Sequence, residues 1–142
     1  MALTPEQIKL VRSSWNKVLP IADTAAELFY KRLFETDPGL KPLFPEDMFV
    51  QKKKLIAALA RVVVSLVKPD VLAPIVAALG ERHVGYGVKE RDYQTVGAAL
   101  LWTLEQGLGE LWTPELKAAW TEAYTALVGI MTDAARKVKQ AA

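Results

Sequence analysis

Leu79-Gly80-Glu81-Arg82-His83-Val84-Gly85-Tyr86-Gly87-Val88 carries the one histidine of a 142-residue chain that contains no cysteine. The stretch reads as the end of a helix that Gly85 and Gly87 break. Zinc sites need several His or Cys ligands, and only one is available. A Ser-His-Asp set would have to be built on His83, yet no serine stands in a Gly-x-Ser-x-Gly setting. Gly80, Gly85 and Gly87 fit neither a Walker loop nor a dinucleotide fingerprint. Taken alone, a lone histidine is more often a surface or satisfied core residue than a ligand, so its surroundings decide its meaning.

Outward from His83 the sequence reads as helix throughout, with period near 3.6 and short Pro, Gly and Asp punctuation. No alternation long enough for a sheet occurs. Thr4-Pro5-Glu6-Gln7 joins a capping hydroxyl, proline at the first helical position and Gln three residues on, opening a helix to about Leu19. After Pro20 and Asp23 the next helix has Ala26, Phe29, Tyr30, Leu33 and Phe34 along one stripe. Asp37-Pro38 starts a short helix that ends before Pro45. A long helix from about Asp47 to Val67 sets Gln51, Leu55, Leu59, Val62 and Leu66 on one face. A shorter helix runs from about Val71 to His83. Glu90 to Leu108 follows, with Tyr93, Val96, Leu100 and Leu104 inward and a solvated first turn at Glu90 and Asp92. Thr113-Pro114-Glu115 repeats the first start signal and launches a last helix to about Val138. With no repeat or linker, residues 1–142 are expected to form one all-α domain.

Hydrophobic residues make up 51% of the chain, enough for a proper core. A net charge of +2 gives no electrostatic reason to expect nucleic acid or an anionic membrane as partner. The start, Met1 to Glu6, lacks the basic and apolar run of a signal peptide. The richest apolar stretch, Leu55 to Val67, is broken by Arg61 and Ser65 and is too short to span a membrane. A cytoplasmic protein, monomeric or weakly homodimeric, is expected.

A b-type haem asks for one neutral imidazole, an apolar slot between helices and a vacant position for gas. The helices above can supply each. Here the order of residues becomes specific. The segment Leu79 to Val88, with Tyr93 ten residues past His83, resembles the proximal region of bacterial globins. Leu28-Phe29-Tyr30, Leu33-Phe34, Asp37-Pro38 and Leu43-Phe44 resemble the family's second and third helices and its haem-clamping phenylalanine. Trp15 and the Trp120, Ala123, Tyr124 pattern agree with its first and last helices. The chain is similar, over nearly its whole length, to the globin domains of flavohaemoglobins and to single-domain, neuroglobin-like bacterial globins.

The resemblance implies a globin fold of about seven helices, three over three, around a non-covalent haem b. It implies that His83 ligates the iron, with its other nitrogen bonded to a backbone carbonyl near Leu79. Phe44 would wedge against the macrocycle, and Val88, Tyr93 and Val96 would line the proximal side. Leu55, Tyr30 and Gln51 would face the gas, with Gln51 at the position where many animal globins carry a second histidine. Both Tyr30 and Gln51 can donate hydrogen bonds, which implies tight oxygen binding. The alternative is a tyrosine bonded to backbone and a solvent-facing glutamine. Lys52, Lys53 and Lys54 form a basic run that is ordinarily a solvated face. The resemblance lets Lys54, and also Arg82, pair with a haem propionate at the rim. With no second histidine, bis-histidine coordination is excluded, and the iron should be five-coordinate or take water, Tyr30 or Gln51.

Two departures matter. Flavohaemoglobins carry a reductase domain, and this chain has no length left for one, so electrons would come from an outside reductase. They also place a glutamate on the last helix beside the tyrosine matched by Tyr93; its position falls at Ala135, with Asp133 nearby. The implied function is reversible binding of oxygen, carbon monoxide and nitric oxide, for oxygen scavenging, storage or transport. The alternative is an enzyme, a nitric oxide dioxygenase or nitrite reductase that depends on an external reductase. A regulator that has lost its haem is a third reading, against which the joint presence of His83, Phe44 and Tyr30 argues.

Overall fold

A computed structural model describes residues 3–44, 47–85 and 88–141. Pro45, Tyr86 and Gly87, used above as punctuation, lie outside the described residues. Six α-helices follow one another: α1 (Pro5–Val18), α2 (Ala22–Thr36), α3 (Met48–Ser65), α4 (Pro69–Gly85), α5 (Asp92–Leu108) and α6 (Pro114–Ala141). Short 3-10 segments at Leu19–Ile21, Pro38–Leu43 and Gly109–Leu111 join them. The short helix expected at Asp37-Pro38 is thus a 3-10 turn, begun by the Asp37 carboxylate accepting from the Gly39 N–H at 3.1 Å. Among the described residues there is no strand and no helix long and apolar enough to cross a membrane.

The helix starts follow local chemistry. Thr4 Oγ1 accepts from the Gln7 N–H at 3.1 Å, and the Gln7 side chain accepts from the Thr4 N–H at 3.0 Å. Thr113 Oγ1 accepts from the Leu116 N–H at 3.1 Å and starts α6 the same way. Asp47 starts α3 by accepting from Phe49 N at 2.7 Å. Pro69 at the first position of α4 extends that helix two residues before Val71, where a proline is tolerated because its N–H is not needed. The beginning of α5 differs from expectation. Glu90 is exposed, but Asp92 is 7% exposed and its carboxylate accepts from the Lys89 N–H at 2.9 Å. A buried aspartate therefore ties down the turn that precedes α5, and the helix starts at Asp92.

The helices pack into the all-α arrangement expected, with α1, α3 and α4 each in contact with a helix of the α2, α5 and α6 set. The most extensive contact is α4 on α6, followed by α2 on α5 and α1 on α6. Each helix buries residues at three- and four-residue spacing, such as Val11, Ser14, Trp15 and Val18 on α1. Trp15 and Trp120 meet with ring centroids 6.5 Å apart. The Trp120 Nε1–H donates to Ser14 Oγ at 2.9 Å, and that hydroxyl donates onward to the Leu10 carbonyl at 2.8 Å. One serine thus satisfies an indole N–H deep in the α1–α6 contact.

Replacing Ser14 with Ala should destabilise the fold by about 1–3 kcal/mol, because the Trp120 N–H is left buried without an acceptor. In a Trp120→Phe background the same replacement should cost less than half as much. Denaturant unfolding of the four proteins of this cycle checks both expectations.

Candidate functional site around His83

α4 brings Leu79 and His83 one turn apart on a shared face. His83 Nδ1 lies 2.6 Å from the Leu79 carbonyl oxygen. A carbonyl can only accept, so Nδ1 carries the proton and the lone pair of the neutral ring is on Nε2. Burial pushes the imidazole pKa below the ordinary 6.5, the nearby Arg82 charge adds to this, and the Leu79 bond opposes both. At pH 7 the ring is therefore neutral, the state in which imidazole binds a metal.

The imidazole stands on the wall of a cavity of about 170 Å³. Leu55 and Leu59 come from α3, Leu79 from α4, Tyr93 and Val96 from α5, and Tyr124, Leu127 and Met131 from α6. Among the described residues no Asp, Glu, Lys or Arg lines it. Among the described residues no three His, Cys, Asp or Glu side chains group to hold a metal ion. A metal at His83 would therefore have to arrive with ligands of its own, as it does inside a macrocycle. An apolar wall bearing one neutral nitrogen donor fits a haem, whose body is apolar and whose iron needs one ligand from the protein.

A second group of residues adjoins this cavity through Phe29. That ring lines the cavity and meets Tyr30 edge-on at 5.0 Å. Tyr30 in turn meets Phe44 at 5.4 Å, and Phe44 meets Phe34 at 5.6 Å. Gln51 Nε2 donates to the Tyr30 hydroxyl oxygen at 3.2 Å. With its oxygen accepting, Tyr30 keeps its own O–H as a donor for something else. Burial raises the Tyr30 pKa, more than the Gln51 bond lowers it, so the hydroxyl keeps its proton.

The structure thus brings Leu55, Leu79, His83, Tyr93 and Val96 to one cavity, and joins Tyr30, Gln51 and Phe44 in a neighbouring group. Val88 is half-buried and off the cavity wall; its N–H donates to the His83 carbonyl at 3.1 Å. Lys54 and Arg82 are exposed. Ala135 is half-buried, Asp133 exposed, and neither lines the cavity. The next residue, Arg136, bonds Glu90 through Nε at 2.9 Å on the surface.

Sequence reasoning missed Tyr124 and Met131 as wall residues. The Tyr124 hydroxyl donates to the Tyr93 carbonyl at 2.6 Å. Its ring fills the space beside Gly97, where a Cβ would lie 2.6 Å from Tyr124 Cε2. Tyr93 itself stacks toward His83, with ring centroids 6.3 Å apart and planes 29° apart. The signal was present: Trp120, Ala123, Tyr124, Leu127, Val128 and Met131 recur at helical spacing along α6.

Comparison with known proteins agrees with this geometry. The globin family model matches residues 27–131. A flavohemoprotein of Rhodopirellula baltica is 32% identical over 131 residues, covering 90% of this chain and 32% of that protein. A flavohemoprotein of Bordetella parapertussis is 32% identical over 143 residues, covering 99% of this chain and 36% of its own length. The chain therefore spans about a third of the length of the curated relatives it matches. An engineered carbene transferase, made from a protein of Rhodothermus marinus assigned as a nitric oxide dioxygenase, superposes with a TM-score of 0.88 at 26% identity. That match covers 99% of this chain and 98% of the other.

Burial raises the pKa of Tyr93 and Tyr124 as well as Tyr30, so three of the four tyrosines should ionise later than the ordinary 10. A raised acid pKa means the neutral form persists to higher pH. In an alkaline titration followed by phenolate absorbance, Tyr124→Phe should leave the signal at pH 10 unchanged and remove amplitude only above it. Loss of signal at or below pH 10 would show that Tyr124 is not enclosed.

Proposed function

The chain belongs to the globin family, and from that premise we propose that it holds a non-covalent haem b through His83 Nε2. Oxygen, carbon monoxide and nitric oxide are its proposed ligands, taken up on the side of Tyr30 and Gln51. The observation that carries this reading is the neutral imidazole on an apolar wall, oriented by its Nδ1–H bond to Leu79. The haem would supply a ferrous centre that takes up a diatomic gas reversibly.

The remaining chemistry is that of the side chains. The Leu79 carbonyl fixes the tautomer and the ring plane of His83. Gln51 Nε2 donates to the Tyr30 oxygen, which leaves the Tyr30 proton for a ligand. A hydrogen bond from Tyr30 to a partly negative gas ligand is worth about 1.5–3 kcal/mol. Phe44, edge-on to Tyr30, is the proposed contact for the macrocycle, and Lys54 and Arg82 are the proposed propionate partners. An exposed pair of that kind contributes about 0–1 kcal/mol. We assign the protein to oxygen binding of the scavenging or storage type, as one cytoplasmic domain.

A second reading, nitric oxide dioxygenation, is favoured by the flavohemoprotein relatives and the Rhodothermus marinus neighbour. It requires an electron donor. Among the described residues no carboxylate lines the cavity, which favours binding over turnover. With a reductase supplied, nitric oxide consumption far above the amount of protein would establish the enzyme; a stoichiometric reaction would establish the binder.

The purified protein, reduced with dithionite and exposed to carbon monoxide, should show a five-coordinate deoxy spectrum that sharpens into a carbonyl Soret band. His83→Ala should lose stable haem retention, and full retention with an unchanged spectrum would remove the ligand assignment. Tyr30→Phe should speed oxygen release about ten- to a hundred-fold, the loss of one charge-assisted bond. An unaltered rate in stopped flow would mean that Tyr30 does not reach the ligand.

A further inference from the structure

α4 and α6 meet closely at Gly80. A Cβ built there would lie 2.5 Å from the Met131 carbonyl oxygen and 2.7 Å from its Cα. The opposing atoms are backbone, which cannot swing aside as a flexible side chain would. α4 and α6 therefore touch main chain to main chain at Gly80, and they do so three residues before His83. Residues at that spacing share a helix face.

The peptide that joins Leu79 to Gly80 makes both contacts. Its carbonyl accepts the His83 Nδ1–H at 2.6 Å and so sets the ring plane. Its other end is the glycine that rests on Met131, itself a wall residue of the same cavity. Whatever moves Gly80 moves the acceptor that orients the imidazole.

We propose that Gly80 is a positioning residue for His83, fixing the approach of the imidazole to its metal through the seat of α4 on α6. This rests on the haem reading above. Any side chain at position 80 must lift α4 by on the order of 1 Å, the gap between the built Cβ contact and ordinary van der Waals separation. A displacement of that size at a functional group can change a rate a hundred-fold.

The test compares three haem-loaded proteins: wild type, Gly80→Ala and Gly129→Ala. Gly129 lies on α6 with nothing within 4 Å of a built Cβ, so its alanine variant controls for the general effect of removing a helical glycine. Three readouts apply: the iron–histidine stretching band of the ferrous proteins, the rate of haem transfer to excess apomyoglobin, and the circular dichroism melt of the haem-free chains. Gly80→Ala should fold with wild-type helix content, shift the stretching band, and lose haem about ten- to a hundred-fold faster. Gly129→Ala should match wild type in band and transfer rate. An unmoved band with a wild-type transfer rate in Gly80→Ala would overturn the proposal. So would equal changes in Gly129→Ala, or a Gly80→Ala chain whose haem-free form no longer folds, since the contact would then serve the fold as a whole. Wild-type protein that takes up no haem would instead remove the haem reading itself, and the proposal with it.

Discussion

One hydrogen bond, from His83 Nδ1 to the Leu79 carbonyl, decides what the rest of the cavity can do. It fixes the tautomer, leaves the lone pair on Nε2 and holds the ring in one orientation. Burial among leucines, tyrosines and a methionine keeps the ring uncharged. A protonated imidazole on that apolar wall would bear the desolvation cost that lowers the ring's pKa. The apolar wall and the neutral donor therefore depend on each other.

The two sides of the site differ in how they are built. Around His83 the control is mostly backbone: the Leu79 carbonyl, the Val88 N–H on the His83 carbonyl, and the Tyr124 hydroxyl on the Tyr93 carbonyl. Such contacts fix geometry and resist adjustment. Around Tyr30 the control is by side chains, with Gln51 behind the hydroxyl and aromatic rings on either side. Side chains in that group can change without moving a helix. The group around Tyr30 is thus open to variation, while the side of His83 is held by the frame.

The helices and the histidine were legible in the sequence because their signals are local. Thr4-Pro5 and Thr113-Pro114 name their own caps, and a single histidine in a chain without cysteine leaves few chemistries. The family resemblance added the placing of Tyr30, Gln51 and Phe44, which no periodicity shows. What escaped was set by contacts distant in sequence. Asp92 looks like a solvated first-turn acid, yet it is buried because the turn at Lys89 needs its carboxylate. Nothing local in the sequence pairs Tyr124 with Gly97, and only packing shows that each is shaped by the other. Val88 follows the glycine break, and its direction could not be counted along a helix that had already ended.

The bond from Trp120 to Ser14 joins residues 106 positions apart. The same last helix supplies Tyr124, Leu127 and Met131 to the wall beside His83. During synthesis the chain therefore carries its histidine for some time without the side of the cavity that encloses it. Helices α1 to α5 leave the ribosome before the helix that carries the indole matched to Ser14. Until α6 arrives, the apolar face that it covers is open to other apolar surfaces.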